Sequence, residues 1–85
     1  MLRLDNLFIH KRLINEEEAN LTIKPGIYTI GSNPFFDFYY YGFLIVLASE
    51  QNKVLQIYIS HNKEIAFRSI WNKDNFNNIA WTRIN

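Results

Sequence analysis

Apolar residues fall along this chain in short strand-length groups separated by polar turns. The longest group is Tyr39-Tyr40-Tyr41-Gly42-Phe43-Leu44-Ile45-Val46-Leu47-Ala48. Its aromatic and β-branched content predicts a strand, central in its sheet and buried on both faces. It falls well short of the roughly twenty apolar residues that cross a bilayer as a helix. Gly26-Ile27-Tyr28-Thr29-Ile30 alternates after a Pro25-Gly26 turn, and Lys53–Ser60 alternates after the polar break Ser49-Glu50-Gln51-Asn52. In that second strand Leu55, Ile57 and Ile59 share one face, with Val54, Gln56 and Tyr58 on the other. Past His61-Asn62-Lys63, Ile65 and Phe67 point one way and Ala66 and Arg68 the other. A polar loop, Asn72–Asn78, carries the single aromatic Phe76 and leads to a last strand over Ile79–Ile84.

Helical signals are confined to one place. Asn15 is a good N-cap, Glu18 completes a capping box, and Glu16, Glu17 and Glu18 suit the positive end of a helix dipole. Thr22-Ile23 and Pro25-Gly26 keep that helix short. The acidic run reads as a solvated first turn, since nothing near it supplies a matching metal-ligand set. Leu7–Ile14 reads as a strand or an extended arm. Together these elements predict a mainly β fold: a small antiparallel sheet or sandwich of four to five strands with a short N-terminal helix, and α+β as the fallback. Residues 1–19 form an arm and the start of the helix, and residues 20–85 the β domain.

Composition narrows the function. The 85 residues make one domain, 48% hydrophobic and 20% charged, with no cysteine and a net charge of +1. That balance gives no electrostatic basis for nucleic-acid binding, and the absence of cysteine excludes disulfides and thiolate chemistry. Met1-Leu2-Arg3-Leu4-Asp5 lacks the pattern of a signal peptide. Ser32, Ser49, Ser60 and Ser69 fall at strand ends or turns, outside any nucleophile-elbow pattern. His10 and His61 are far apart, and Asp37, Glu50 and Glu64 are carboxylates without a distinguishing context. We therefore assign no catalytic residue, metal or cofactor. The unusual quantity is aromatic content, 16%, with seven Phe, five Tyr and two Trp. Phe35, Phe36, Phe38, Tyr39, Tyr40 and Tyr41 crowd one loop and strand entry, where alternation sends some of them outward. Trp81, on an alternating strand, reads as core. Trp71, beside a polar loop, is balanced between core and surface.

In order, the strands resemble the knob domain of pyocin and phage tail fibres. The resemblance lies in Pro25-Gly26-Ile27-Tyr28-Thr29-Ile30, Asn33-Pro34, Gly42-Phe43-Leu44-Ile45-Val46, Val54-Leu55-Gln56-Ile57-Tyr58, Ile65-Ala66-Phe67-Arg68 and Ala80-Trp81-Thr82-Arg83-Ile84. Asn20-Leu21 is similar to the Asp-Leu-Asn lead-in of that family, and Ala66-Phe67 is a small departure from its aromatic-x-Arg strand. The resemblance spans residues 20–85. It implies a β-rich, homotrimeric module at the distal part of a tail fibre, assembled in the host cytoplasm and acting outside it. The implied partners are bacterial surface polysaccharide or other tail proteins, with no nucleic acid and no membrane insertion. Candidate saccharide contacts are Tyr39, Tyr41, Trp71, Asn75 and Asn77. The alternatives are a structural knob that trimerises or spaces the fibre, and a small adaptor in another assembly.

Overall fold

A computed structural model describes residues 11–13 (backbone only), 15–31, 35–50, 53–72 and 74–84. Residues 1–10 of the arm expected over 1–19, the Ser32-Asn33-Pro34 loop and the Gln51-Asn52 part of the β3–β4 turn lie outside the described residues. The chain is mainly β, and among the described residues it has one short helix. Its strands are β1 (Lys11–Leu13), β2 (Gly26–Gly31), β3 (Tyr41–Glu50), β4 (Lys53–Ser60), β5 (Ile65–Trp71) and β6 (Thr82–Arg83). They form one sheet in chain order. β2 to β6 are antiparallel neighbours, and β1 pairs parallel with β2. The parallel pair is possible because helix α1 (Glu16–Leu21) carries the chain back between them. Asn15 caps α1 as its sequence predicts: its side chain accepts the Glu18 N–H at 2.9 Å. The helix ends at Thr22, whose N–H and hydroxyl are used by Ala19 O and Glu18 O.

The two faces of the sheet differ in an unexpected way. Leu44, Val46, Val54, Tyr58, Ala66 and Ile70 are buried on one face together with Gln56, Ser60 and Arg68. Over them lie Ala19 of α1, Phe35 and Phe38 from the β2–β3 connection, Phe76 from the β5–β6 loop, and Trp81. This cover is mostly irregular chain, so it brings backbone carbonyls that no ladder satisfies. The sheet answers with side-chain donors. Gln56 Nε2 donates to Ala19 O (2.7 Å) and Thr22 O (2.9 Å), and Tyr58 Oη donates to Tyr39 O. Arg68 Nε donates to Gln56 Oε1 (2.8 Å), and its Nη1 reaches Phe76 O (3.5 Å) and Ile79 O (3.3 Å).

Arg68 is 3% exposed and meets no carboxylate among its described hydrogen bonds. Three rings enclose its guanidinium instead, Trp81 at 4.3 Å, Phe76 at 4.7 Å and Phe36 at 5.0 Å. Burial pulls its pKa down to about 10. Phe76, the lone aromatic of a polar loop, is fully buried by this arrangement.

Two expectations are corrected. β3 is central but covered on one face only: Gly42, Leu44 and Val46 are buried, whereas Tyr41 and Leu47 are exposed and Phe43 and Ile45 half-buried. Among the described residues the covering layer lies entirely on the other side. The last strand is also shorter than Ile79–Ile84. Ile79 and Trp81 turn inward to pack on the core and Arg68, which leaves Thr82 and Arg83 to pair with β5.

Candidate interaction surface

The second face of the sheet is the more apolar one. Strand register arranges it in rows: Thr29, Phe43, Ile59 and Ile65; then Ile27, Ile45, Ile57, Phe67 and Thr82; then Leu47, Leu55 and Ser69; then Lys53 and Trp71. Ile84 continues the first row, donating its N–H to Ile65 O at 2.8 Å. Leu47 is 50% exposed, Trp71 67%, and Ile59 and Phe67 37% each. By register Glu50 joins Lys53 and Trp71 in the end row and Arg12 of β1 stands opposite Thr29, so the charged positions fall at the margins. The Lys53 ammonium lies 5.2 Å from the Trp71 ring centroid and 3.6 Å from Glu50. Among the described residues no layer covers this face, and monomeric proteins rarely leave so extended an apolar surface open.

An open depression of about 380 Å³ lies at one end of this face, lined by Leu47, Ser49, Lys53, Leu55, Ser69 and Trp71. It combines an exposed indole, a cation and two hydroxyl-bearing residues. At the opposite end stands a tyrosine cluster. The Tyr39 and Tyr40 rings stack at 5.4 Å, and Tyr41 lies 4.6 Å from Tyr40 and 6.0 Å from Tyr39.

Polar side chains anchor the tyrosine end from the covered side. Glu64 Oε1 accepts the Tyr39 N–H at 2.7 Å, and Glu64 Oε2 pairs with Arg83 Nη1 at 3.0 Å. Arg83 also reaches Asp37 O at 3.1 Å and lies over the Phe38 ring at 4.5 Å. The Tyr39 N–H, followed by Arg83 and Ser60, holds the Glu64 carboxyl below its ordinary value against the opposing effect of burial. Ser60 Oγ accepts the N–H groups of Asn62 and Glu64, which closes the β4–β5 turn with Lys63 in the left-handed region. Glu64 and Asp37 thus share one arginine, whereas Glu50 pairs with Lys53 at the far end of the sheet.

The sequence candidates are divided between these regions. Tyr39 and Tyr41 are together in the tyrosine cluster. Trp71 is at the other end, across the length of β4. Asn75 and Asn77 lie in the β5–β6 loop, where Asn75 Oδ1 accepts the Asn77 N–H at 2.9 Å and Asn75 Nδ2 donates to Asp74 at 3.0 Å. Asn75 is therefore engaged in shaping the loop that carries Phe76 into the core. His61 sits against Phe43 with ring centroids 5.6 Å apart, and His10 lies outside the described residues. Sequence reasoning missed Leu55, Ile57, Ile59, Ile65 and Phe67 as a surface. The available signal was their opposition to Gln56 and Arg68, two residues suited to satisfying overlying loops. Comparison with protein-family models, curated proteins and solved structures finds no match.

Proposed function

We propose that this chain is a non-catalytic module of a phage or tailocin tail fibre, and that its working surface is the uncovered apolar face of the sheet. The carrying observation is that this face, from Phe43 to Phe67, is more apolar than the face buried by the chain's own loops. The ordered tail-fibre-like segments over residues 20–85 support the fibre setting. Burial of the face against another polypeptide of the fibre gives the module its role, holding the distal fibre together near the host surface. The test places Ile57→Lys and Phe67→Lys in particles that carry the chain, with quantitative mass spectrometry of purified particles as the readout. Reduced occupancy is expected. Full occupancy by both variants, or absence of the unaltered chain from particles, refutes the reading.

A second reading, saccharide recognition, is favoured by the Trp71 depression. An exposed indole with Lys53, Ser49 and Ser69 around it offers a stacking plane and polar contacts to a sugar ring. Trp71→Ala and Tyr41→Ala are expected to reduce adsorption to host cells without loss of folding. Unchanged adsorption by both variants removes this reading.

A further inference from the structure

We infer that the occupant of the uncovered sheet face is a second copy of this chain, packed sheet against sheet; this rests on the assembly reading above. Three observations select that partner. The first is hydrogen-bonding capacity. The covered face carries Gln56, Tyr58, Ser60 and Arg68, and it receives irregular chain with free carbonyls. Within β2–β6, the two central rows of the uncovered face offer Thr29 and Thr82 at the sides and otherwise only Ile and Phe. A loop laid on it would leave its backbone groups unsatisfied and desolvated. The partner must therefore present a regular element whose backbone is already paired.

The second observation is charge. Self-packing brings like charges together, so a face suited to it must be neutral at its centre. Here Lys53 and Glu50 pair in the end row, Arg12 stands in register on the edge strand, and the row from Ile27 through Ile45, Ile57 and Phe67 to Thr82 carries no charge. A partner selected by charge would have little to read. The third is area. With strands about 4.8 Å apart and a rise of about 3.4 Å per residue, β2–β6 from Thr29 to Trp71 project roughly 450 Å². Accessible area exceeds projection, so a pair buries on the order of 1,000 Å² or more, which is the size specific interfaces clear. Rows of β-branched and aromatic side chains are also what stacked sheets interdigitate, about 10 Å apart.

Sedimentation equilibrium of the purified chain across the micromolar range tests the inference. Reversible association to a dimer is expected, since a face that packs on its own copy closes as a two-fold pair, accompanied by concentration-dependent protection of Trp71 from acrylamide quenching. Ile57→Lys, at the middle of the face, is expected to weaken association at least 100-fold. Phe67→Thr, which keeps a good strand former at an outward position, is expected to weaken it about tenfold and serves if the lysine variant does not fold. Leu21→Lys, on the exposed side of α1, is expected to change nothing.

A chain that stays monomeric at every concentration overturns the inference. So does association that ignores Ile57→Lys and Phe67→Thr in folded protein. A monomeric chain whose face variants still lower particle occupancy would assign the face to a different protein, which leaves the assembly reading standing. Self-association through the face with full particle occupancy by the variants would do the reverse.

Discussion

Replacing Gln56 by Leu keeps the volume of a fully buried side chain and deletes three hydrogen bonds at once. The largest loss falls on Arg68, whose Nε–H would face no acceptor inside the protein. A buried hydrogen bond to a charged group is worth about 1.5–3 kcal/mol. The two carbonyls suffer less. Ala19 O keeps the Thr22 N–H at 3.2 Å, and Thr22 O is only partly buried, so together they add about 1 kcal/mol. The expected loss is therefore about 3 kcal/mol. A domain of 85 residues has a total stability of about 4–13 kcal/mol. At about 4–8 °C per kcal/mol for this size, Tm should fall by roughly 12–24 °C. Thermal melts and urea unfolding of the native chain, Gln56→Leu, Arg68→Met and the double variant form a complete cycle. The double variant removes the cation together with its acceptor, so it should lose less than the two single losses summed, by at least about 1 kcal/mol. Strict additivity, or a melting temperature for Gln56→Leu within about 2 °C of the native chain, would refute the claim that Gln56 holds the buried arginine.

Local geometry sets two more expected outcomes. A Cβ at Gly42 would lie 2.4 Å from Ile59 O and 2.8 Å from Ser60 Cα, backbone atoms that cannot yield without moving β4. Gly42→Ala should cost about 1–3 kcal/mol or more by overpacking, read by urea unfolding; an unchanged midpoint would remove the steric argument. Glu64 has its carboxyl lowered from 4.5 in the folded chain, so its contribution is present above that value and is lost as pH falls through the lower, native one. Melting temperature should therefore fall on acidification below about 4.5, and Glu64→Gln should flatten that part of the profile; identical profiles would exclude Glu64 as the source.

Much of the fold was legible because it rests on local rules. Asn15 and Glu18 start a helix by capping chemistry, Pro25-Gly26 turns the chain into β2, and alternation in Lys53–Ser60 and Ile65–Ile70 divides each strand into two faces. The division was readable, but which half would be inside was not. Hydrophobicity favours burying Leu55, Ile57, Ile59 and Phe67, and the chain instead covers Gln56, Tyr58 and Arg68. The same gap applies to the candidate site. Five residues chosen for chemistry separate into a tyrosine cluster, a distant tryptophan and a loop, because sequence spacing carries no information about opposite ends of a sheet.

What the sequence determined by itself was the four central strands β2 to β5, the turns between them, the helix cap and the existence of two chemically distinct faces. These depend on residues within a few positions of each other. The tertiary structure alone decided which face the loops would cover. That choice depends on long-range hydrogen bonds, Gln56 to Ala19 and Thr22 and Arg68 to Phe76 and Ile79, which satisfy carbonyls of irregular chain that no apolar face could accept. Pairing the polar face with the loops left the apolar face outward, and with it the surface on which the proposed function depends.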